Sequence, residues 1–164
     1  EYAIRSISDA NITIEISNNI FYECNAVNFE NSSNSTLVMR NNILYYADVN
    51  LSSNVDAIVE YNYFRYGSGG LGYSDTNVNG IPDFTDSEWY NTLNFRFQEN
   101  SIGIDGGHPS NAYNDPDGSR NDVGLYGGSK SWILLGPTIT SFEITPTIVP
   151  EGGTIQVNAR AVTQ

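Results

Sequence analysis

Asp75-Thr76-Asn77-Val78-Asn79-Gly80-Ile81-Pro82-Asp83-Phe84-Thr85-Asp86 is the stretch whose residue types and spacing point most directly to chemistry. Oxygen-bearing side chains fall at positions 1, 3, 5, 9 and 12, and Gly80 stands at position 6. A hard divalent cation needs alternate residues aimed at one centre and a glycine where the loop bends sharply. The expected Ca2+ ligands are therefore Asp75, Asn77, Asn79, Asp83 and Asp86, with Ile81 offering its carbonyl. Asn at positions 3 and 5 leaves three carboxylates, so the affinity expected is that of an extracellular module, ~0.1–1 mM. The competing reading is a polar loop without metal.

A second acidic group, Asp105, Asp115, Asp117 and Asp122, lies around Gly118 and Arg120. It reads either as another Ca2+ site or as a capping loop in which Arg120 pairs with the carboxylates and Asp117-Gly118 forms a turn. The capping loop is preferred, because Arg120 already supplies a cation.

Catalytic constellations are harder to assemble. Glycosidic hydrolysis needs two clustered acids, and no Asp-Asp pair occurs. The single histidine, His108, precedes Pro109. No local Ser/His/Asp or Cys/His set is visible. The one cysteine, Cys24, excludes an internal disulfide and a cysteine-based zinc site. The basic residues available to act over a substrate are Arg5, Arg40, Arg65, Arg96, Arg120, Lys130 and Arg160. Tyr22, Tyr45, Tyr46, Tyr61, Tyr63 and Tyr66 read either as a sugar-stacking strip or as internal stacks.

These residues sit in a chain of 164 with 7 Lys+Arg against 19 Asp+Glu, a net charge of -12. That balance excludes a nucleic-acid binder, which needs a basic surface, and disfavours anionic lipid. No apolar run is long enough for a membrane span. Charged residues are only 16%, so the 21 Asn and 17 Ser must supply much of the polar surface. This composition suits an extracellular or cell-surface β protein. The sequons at Asn11, Asn31, Asn34 and Asn50 are numerous enough to be chance in an Asn/Ser-rich chain.

The elements that must position these groups repeat. Ile16-Ser17-Asn18-Asn19-Ile20-Phe21-Tyr22, Met39-Arg40-Asn41-Asn42-Ile43-Leu44-Tyr45 and Val59-Glu60-Tyr61-Asn62-Tyr63-Phe64-Arg65 align at steps of 23 and 20 residues. Each is preceded by a short β-prone run and separated from the next by polar turns. This spacing suits a parallel β-solenoid with one coil per repeat. Equivalent residues then stack at ~4.8 Å, and Asn19, Asn42 and Asn62 can form a hydrogen-bonded ladder.

In these units the sequence resembles the right-handed parallel β-helix repeat proteins of the pectate-lyase-like superfamily. The closing stretch, from Phe84-Thr85-Asp86 through Asn94–Gln98 and Ser101–Gly107 to Asp115–Gly128, is similar to the C-terminal end of many bacterial β-helix proteins. In that family a Pro-x-Phe-x-Asp segment occurs at this point without metal. The resemblance implies an all-β fold: a right-handed parallel β-helix through about residue 70, with long loops and irregular strands to 135. Residues 136–164 form a second part, a small antiparallel appendage. There Ile139–Pro146 and Gly153–Val162 alternate apolar and polar about a Pro150-Glu151-Gly152-Gly153 turn. They look like the first two strands of an immunoglobulin-like or fibronectin-type module.

The function expected is a calcium-associated extracellular or cell-surface structural or adhesive protein. Copies of it would associate head to tail into filaments, or the chain would hold polysaccharide. The alternatives are the C-terminal part of a secreted polysaccharide lyase or hydrolase, and a carbohydrate-binding module that Trp89 or Trp132 would report.

Overall fold

The computed structural model describes residues 2–6, 11–30, 34–67, 74–131, 138–145 and 156–162. The short β-prone runs become strands β1 (Tyr2–Ser6), β2 (Thr13–Ser17) and β3 (Ile20–Tyr22). There follow β4 (Asn25–Phe29), β5 (Ser35–Arg40) and β6 (Ile43–Tyr45). Next come β7 (Asp48–Leu51), β8 (Val55–Glu60), β9 (Tyr63–Arg65) and the two-residue β10 (Val78–Asn79). Every third strand joins the same sheet: β1-β4-β7, β2-β5-β8, and β3-β6-β9 extended by β10. All of these pairings are parallel. The chain therefore visits three sheets in turn and returns one strand further along each time.

The corners of each circuit need a backbone that turns tightly. Asn18, Asn41 and Tyr61 occupy one corner with φ of 60°, 58° and 57°, and Glu23, Tyr46 and Tyr66 another with φ of 47°, 48° and 58°. Asn tolerates this left-handed region because its short side chain bonds locally, whereas Tyr and Glu enter it rarely.

Strand alternation sorts the apolar residues into two clusters. Ile16, Leu37 and Met39 from the second sheet meet Phe21, Leu44 and Phe64 from the third and Val27, Phe29 and Val49 from the first. The neighbouring residues of the third sheet, Ile43 and Tyr63, point the other way and are buried with Phe84, Trp89 and Val123. The repeated apolar pair after each ladder Asn is thus one residue inward and one residue covered by the segment after β10. That segment holds the short helix α1 (Trp89–Thr92) and 3-10 turns at Asn111–Tyr113 and Gly124–Tyr126.

Two compact units divide the chain, Glu1–Trp132 and Ile133–Gln164. In the second, β11 (Thr138–Thr145) pairs antiparallel with β12 (Gln156–Val162), with an irregularity between Ile139 and Ser141. The Pro150–Gly153 turn and Trp132 lie outside the described residues.

Candidate functional site

Parallel stacking brings the repeated asparagines into a column. The Asn42 Oδ1 accepts from the Asn19 N–H at 2.9 Å and from Asn19 Nδ2 at 3.3 Å. The Asn62 Oδ1 likewise accepts from the Asn42 N–H at 3.0 Å and Nδ2 at 2.9 Å. The side-chain amides also donate to the chain: Asn42 Nδ2 to the Ile16 and Arg40 carbonyls, Asn62 Nδ2 to those of Met39 and Glu60. Asn42 and Asn62 are fully buried. The N–H groups of Asn19, Asn42 and Asn62 are thus each satisfied by the side chain of the next rung.

Asn77 is a fourth member that the repeat spacing did not reveal. Its Oδ1 accepts from the Asn62 N–H at 2.8 Å and from Asn62 Nδ2 at 3.2 Å, and its Nδ2 donates to the Val59 carbonyl. It lies 15 residues after Asn62, with only Val78-Asn79 as strand behind it, so the interval and the apolar pair both differ from the earlier repeats. The available signal was an Asn immediately preceding a β-branched residue.

This geometry bears on the twelve-residue loop. A calcium loop needs Asn77 to turn its carbonyl oxygen toward Asp75 and Asn79, but that oxygen is held in the ladder. Asp86 is also engaged, its Oδ1 accepting from the Glu88 N–H and its Oδ2 from the Thr92 hydroxyl across α1. Those bonds hold its carboxyl below the usual range. Val78 and Asn79 are drawn into the sheet beside Tyr63 and Phe64. Ile81 packs against the second apolar cluster, and Asp75 and Asp83 are exposed. Asn77, Val78, Asn79 and Asp86 are thus engaged in the ladder, the sheet and α1, and among the described residues no group of three or more His, Cys, Asp or Glu is placed to hold a metal ion.

The second acidic group is tied to backbone. Asp115 Oδ1 and Oδ2 accept from the Gly128 and Asp122 N–H groups, and Asp122 Oδ1 accepts from the Asp105 N–H at 2.7 Å. Asp117 Oδ1 accepts from the Ser119 N–H and hydroxyl, closing a turn at Gly118, whose φ is 87°. Burial pushes Asp122 up to about 6 and also raises Asp115, whereas the Ser119 bonds lower Asp117. Arg120 does not pair with these carboxylates as the sequence suggested. Its Nε and Nη2 donate to the Gly107 carbonyl instead, while Asp115 and Asp122 accept from backbone N–H groups.

The same segment is fastened to the first corner. Asn18 Nδ2 donates to Asn121 Oδ1 and to the Asp122 carbonyl, Asn41 Oδ1 accepts from the His108 N–H, and the Gly124 N–H donates to the Asn41 carbonyl. His108 stands 3.4 Å from Glu60 through Nε2, and its Nδ1 accepts from the Ser110 N–H. Glu60 also accepts from Arg40 Nε at 2.6 Å. Tyr61 and Tyr113 flank the imidazole with centroids at 4.8 and 4.5 Å. Both ring nitrogens are engaged, so His108 acts as a fastening.

At the other corner the tyrosines divide. Tyr63 is buried, and Tyr22, Tyr45 and Tyr90 pack around the buried Trp89, with Tyr22 stacked on Tyr45 and on Tyr90. Trp89 is therefore part of the core rather than an exposed stacking platform. Tyr46 and Tyr66 stack at 4.6 Å with planes 16° apart, and are 48% and 56% exposed. Beside Tyr46 lies a pocket of about 540 Å³ lined by Glu23, Cys24, Asn25, Tyr46 and Asp48. Burial pushes the Cys24 thiol up, so it is an uncharged part of that wall. A separate polar cleft of about 550 Å³ runs between Glu15, Asn18 and Asn19 on one side and Tyr113, Asn121 and Lys130 on the other. Among the described residues no helix is long and apolar enough to cross a membrane.

Comparison of the chain with protein-family models, with characterised proteins and with solved structures finds no match.

Proposed function

We propose that residues 1–132 form a right-handed parallel β-helix serving as a structural and adhesive element of an extracellular or cell-surface protein. Crossovers between parallel strands of one sheet are right-handed in nearly all proteins, which supports the hand. The asparagine ladder carries the reading. Four stacked side chains satisfy corner backbone groups of successive circuits, which supports a scaffold whose outward side chains repeat from one circuit to the next. Several titratable groups are committed to structure: Asp86, Asp115, Asp117 and Asp122 accept from backbone N–H groups, and His108 is held by Glu60 and Ser110.

The test is turnover. Purified protein incubated with neutral and acidic polysaccharides should release neither reducing ends nor unsaturated uronide ends. Release of either, lost on substitution of Glu60 or His108, would replace this reading with that of a lyase or hydrolase. Surface labelling of intact cells with antibody to the native protein tests the location, and an exclusively internal signal would refute it.

A further inference from the structure

We propose that the pocket beside Tyr46 binds an uncharged pyranose unit of a polysaccharide. The inference deepens the adhesive reading by naming its ligand, and it rests on that reading. Register places Tyr22, Tyr45 and Arg65 opposite one another, so Glu23, Tyr46 and Tyr66 are the equivalent next residues of successive circuits. Tyr46 and Tyr66 therefore stack at 4.6 Å, close to the spacing between strands. The aromatic column stops at Tyr46 because the preceding circuit puts Glu23 in the same place. The missing ring leaves a shallow, open pocket of about 540 Å³ beside Tyr46, with room for a sugar ring to lie against it.

The lining chemistry matches that ligand. A pyranose has a C–H face that packs on an aromatic ring and hydroxyls that need acceptors. Tyr46 supplies the ring. Asp48 and Glu23 supply carboxylate oxygens, to which hydroxyl donors bond with charge-assisted strength. Glu23 uses one oxygen to accept from the Tyr22 hydroxyl at 2.8 Å. The exposed Asp48 carboxylate and the half-buried Asn25 side chain stand on the same wall as Tyr46. Two carboxylates in one small pocket repel a uronic acid, and the net charge of -12 adds to that repulsion.

The backbone supports the same assignment. A φ of 48° would suit Asn or Gly better than Tyr. Tyrosine at this corner is thus not favoured by the turn, which points to a use for its ring. Tyr66, with the Arg65 guanidinium 4.8 Å over its own ring, backs Tyr46 and fixes its orientation.

Calorimetric titration of the whole chain with oligosaccharides of glucose, mannose and galactose, and with oligogalacturonate, tests the proposal. Saturable binding to at least one neutral oligosaccharide is expected, with none to oligogalacturonate. Tyr46→Asn, which relaxes the corner and keeps the melting temperature, should weaken binding by about tenfold or more. Asp48→Asn should weaken it severalfold. Cys24 is the sole cysteine, and bound sugar should slow its alkylation. Absence of binding to every neutral sugar, binding indifferent to Tyr46→Asn, or preference for oligogalacturonate would each overturn the pocket. Each of those results leaves the support role standing, since that role is judged separately by turnover and surface location.

Discussion

Asn62→Ala is the most direct perturbation of the ladder. Asn62 is fully buried, and its side chain makes bonds in both directions. Truncation leaves the Asn42 N–H without its acceptor at 3.0 Å and the Met39 carbonyl without its donor at 2.9 Å. Asn42 and Met39 are themselves fully buried, so water cannot readily substitute. Each orphaned buried group costs about 1–3 kcal/mol, so the expected loss is about 3–5 kcal/mol once a small cavity is added. That is a large share of a typical domain's stability. Urea denaturation followed by circular dichroism measures the loss, and hydrogen exchange should show the Asn42 amide losing protection first. Asn62→Asp is a sharper variant of nearly the same shape. Its carboxylate would face the Met39 and Glu60 carbonyls at 2.9 and 3.0 Å with nothing to donate. Its folded pKa is therefore raised, and its stability falls as pH rises toward neutrality. Exposed Asn19→Ala should cost about 1 kcal/mol or less. An Asn62→Ala protein within about 1 kcal/mol of the parent, with Asn42 exchange unchanged, would refute the claim that the ladder holds the circuits together.

Three further outcomes follow from the closing segment. Burial raises Asp122 to about 6, so the folded state binds this proton more tightly than the unfolded chain; the group's contribution to stability falls as pH rises from about 4 to 6, by roughly 1–2 kcal/mol after solvent screening. Asp122→Asn keeps an oxygen for the Asp105 N–H and should flatten that part of the stability–pH curve, which denaturation at successive pH values reads. Because Asn77 and Asp86 are committed to the ladder and to α1, EDTA should leave the melting temperature unchanged; a real site at a hundredfold excess of Ca2+ over Kd would instead raise stability by about 2.7 kcal/mol. A Cβ at Gly127 would overlap the Asp122 carbonyl, so Gly127→Ala should cost about 2–4 kcal/mol and loosen the segment, seen as faster proteolysis between residues 105 and 128.

Much of the parallel architecture was legible in the sequence. Asn19, Asn42 and Asn62, each followed by two apolar residues at near-constant spacing, need only a stack at the inter-strand distance to form their contacts. Local pattern suffices there because every circuit repeats the same short-range problem. The fourth rung was not legible, since Asn77 reaches the column by a pairing of two residues after an intervening loop. Nor could oxygen spacing decide the loop from Asp75 to Asp86. Alternating oxygens describe a metal cradle and a strand edge equally well, and the pairing of β10 with β9 turns Asn77 into the ladder. Composition could offer Arg120 as partner to the acids, but only the path of the closing segment brings the Gly107 carbonyl to the guanidinium. The tyrosines show the same division: their clustering is written in the repeats, whereas burial of Tyr63 and exposure of Tyr46 depend on which face the segment containing Trp89 and Val123 covers. Short-range periodicity is a property of the chain itself. The choice of partner for each polar group is made by contacts across dozens of residues, and those exist only once the circuits are stacked.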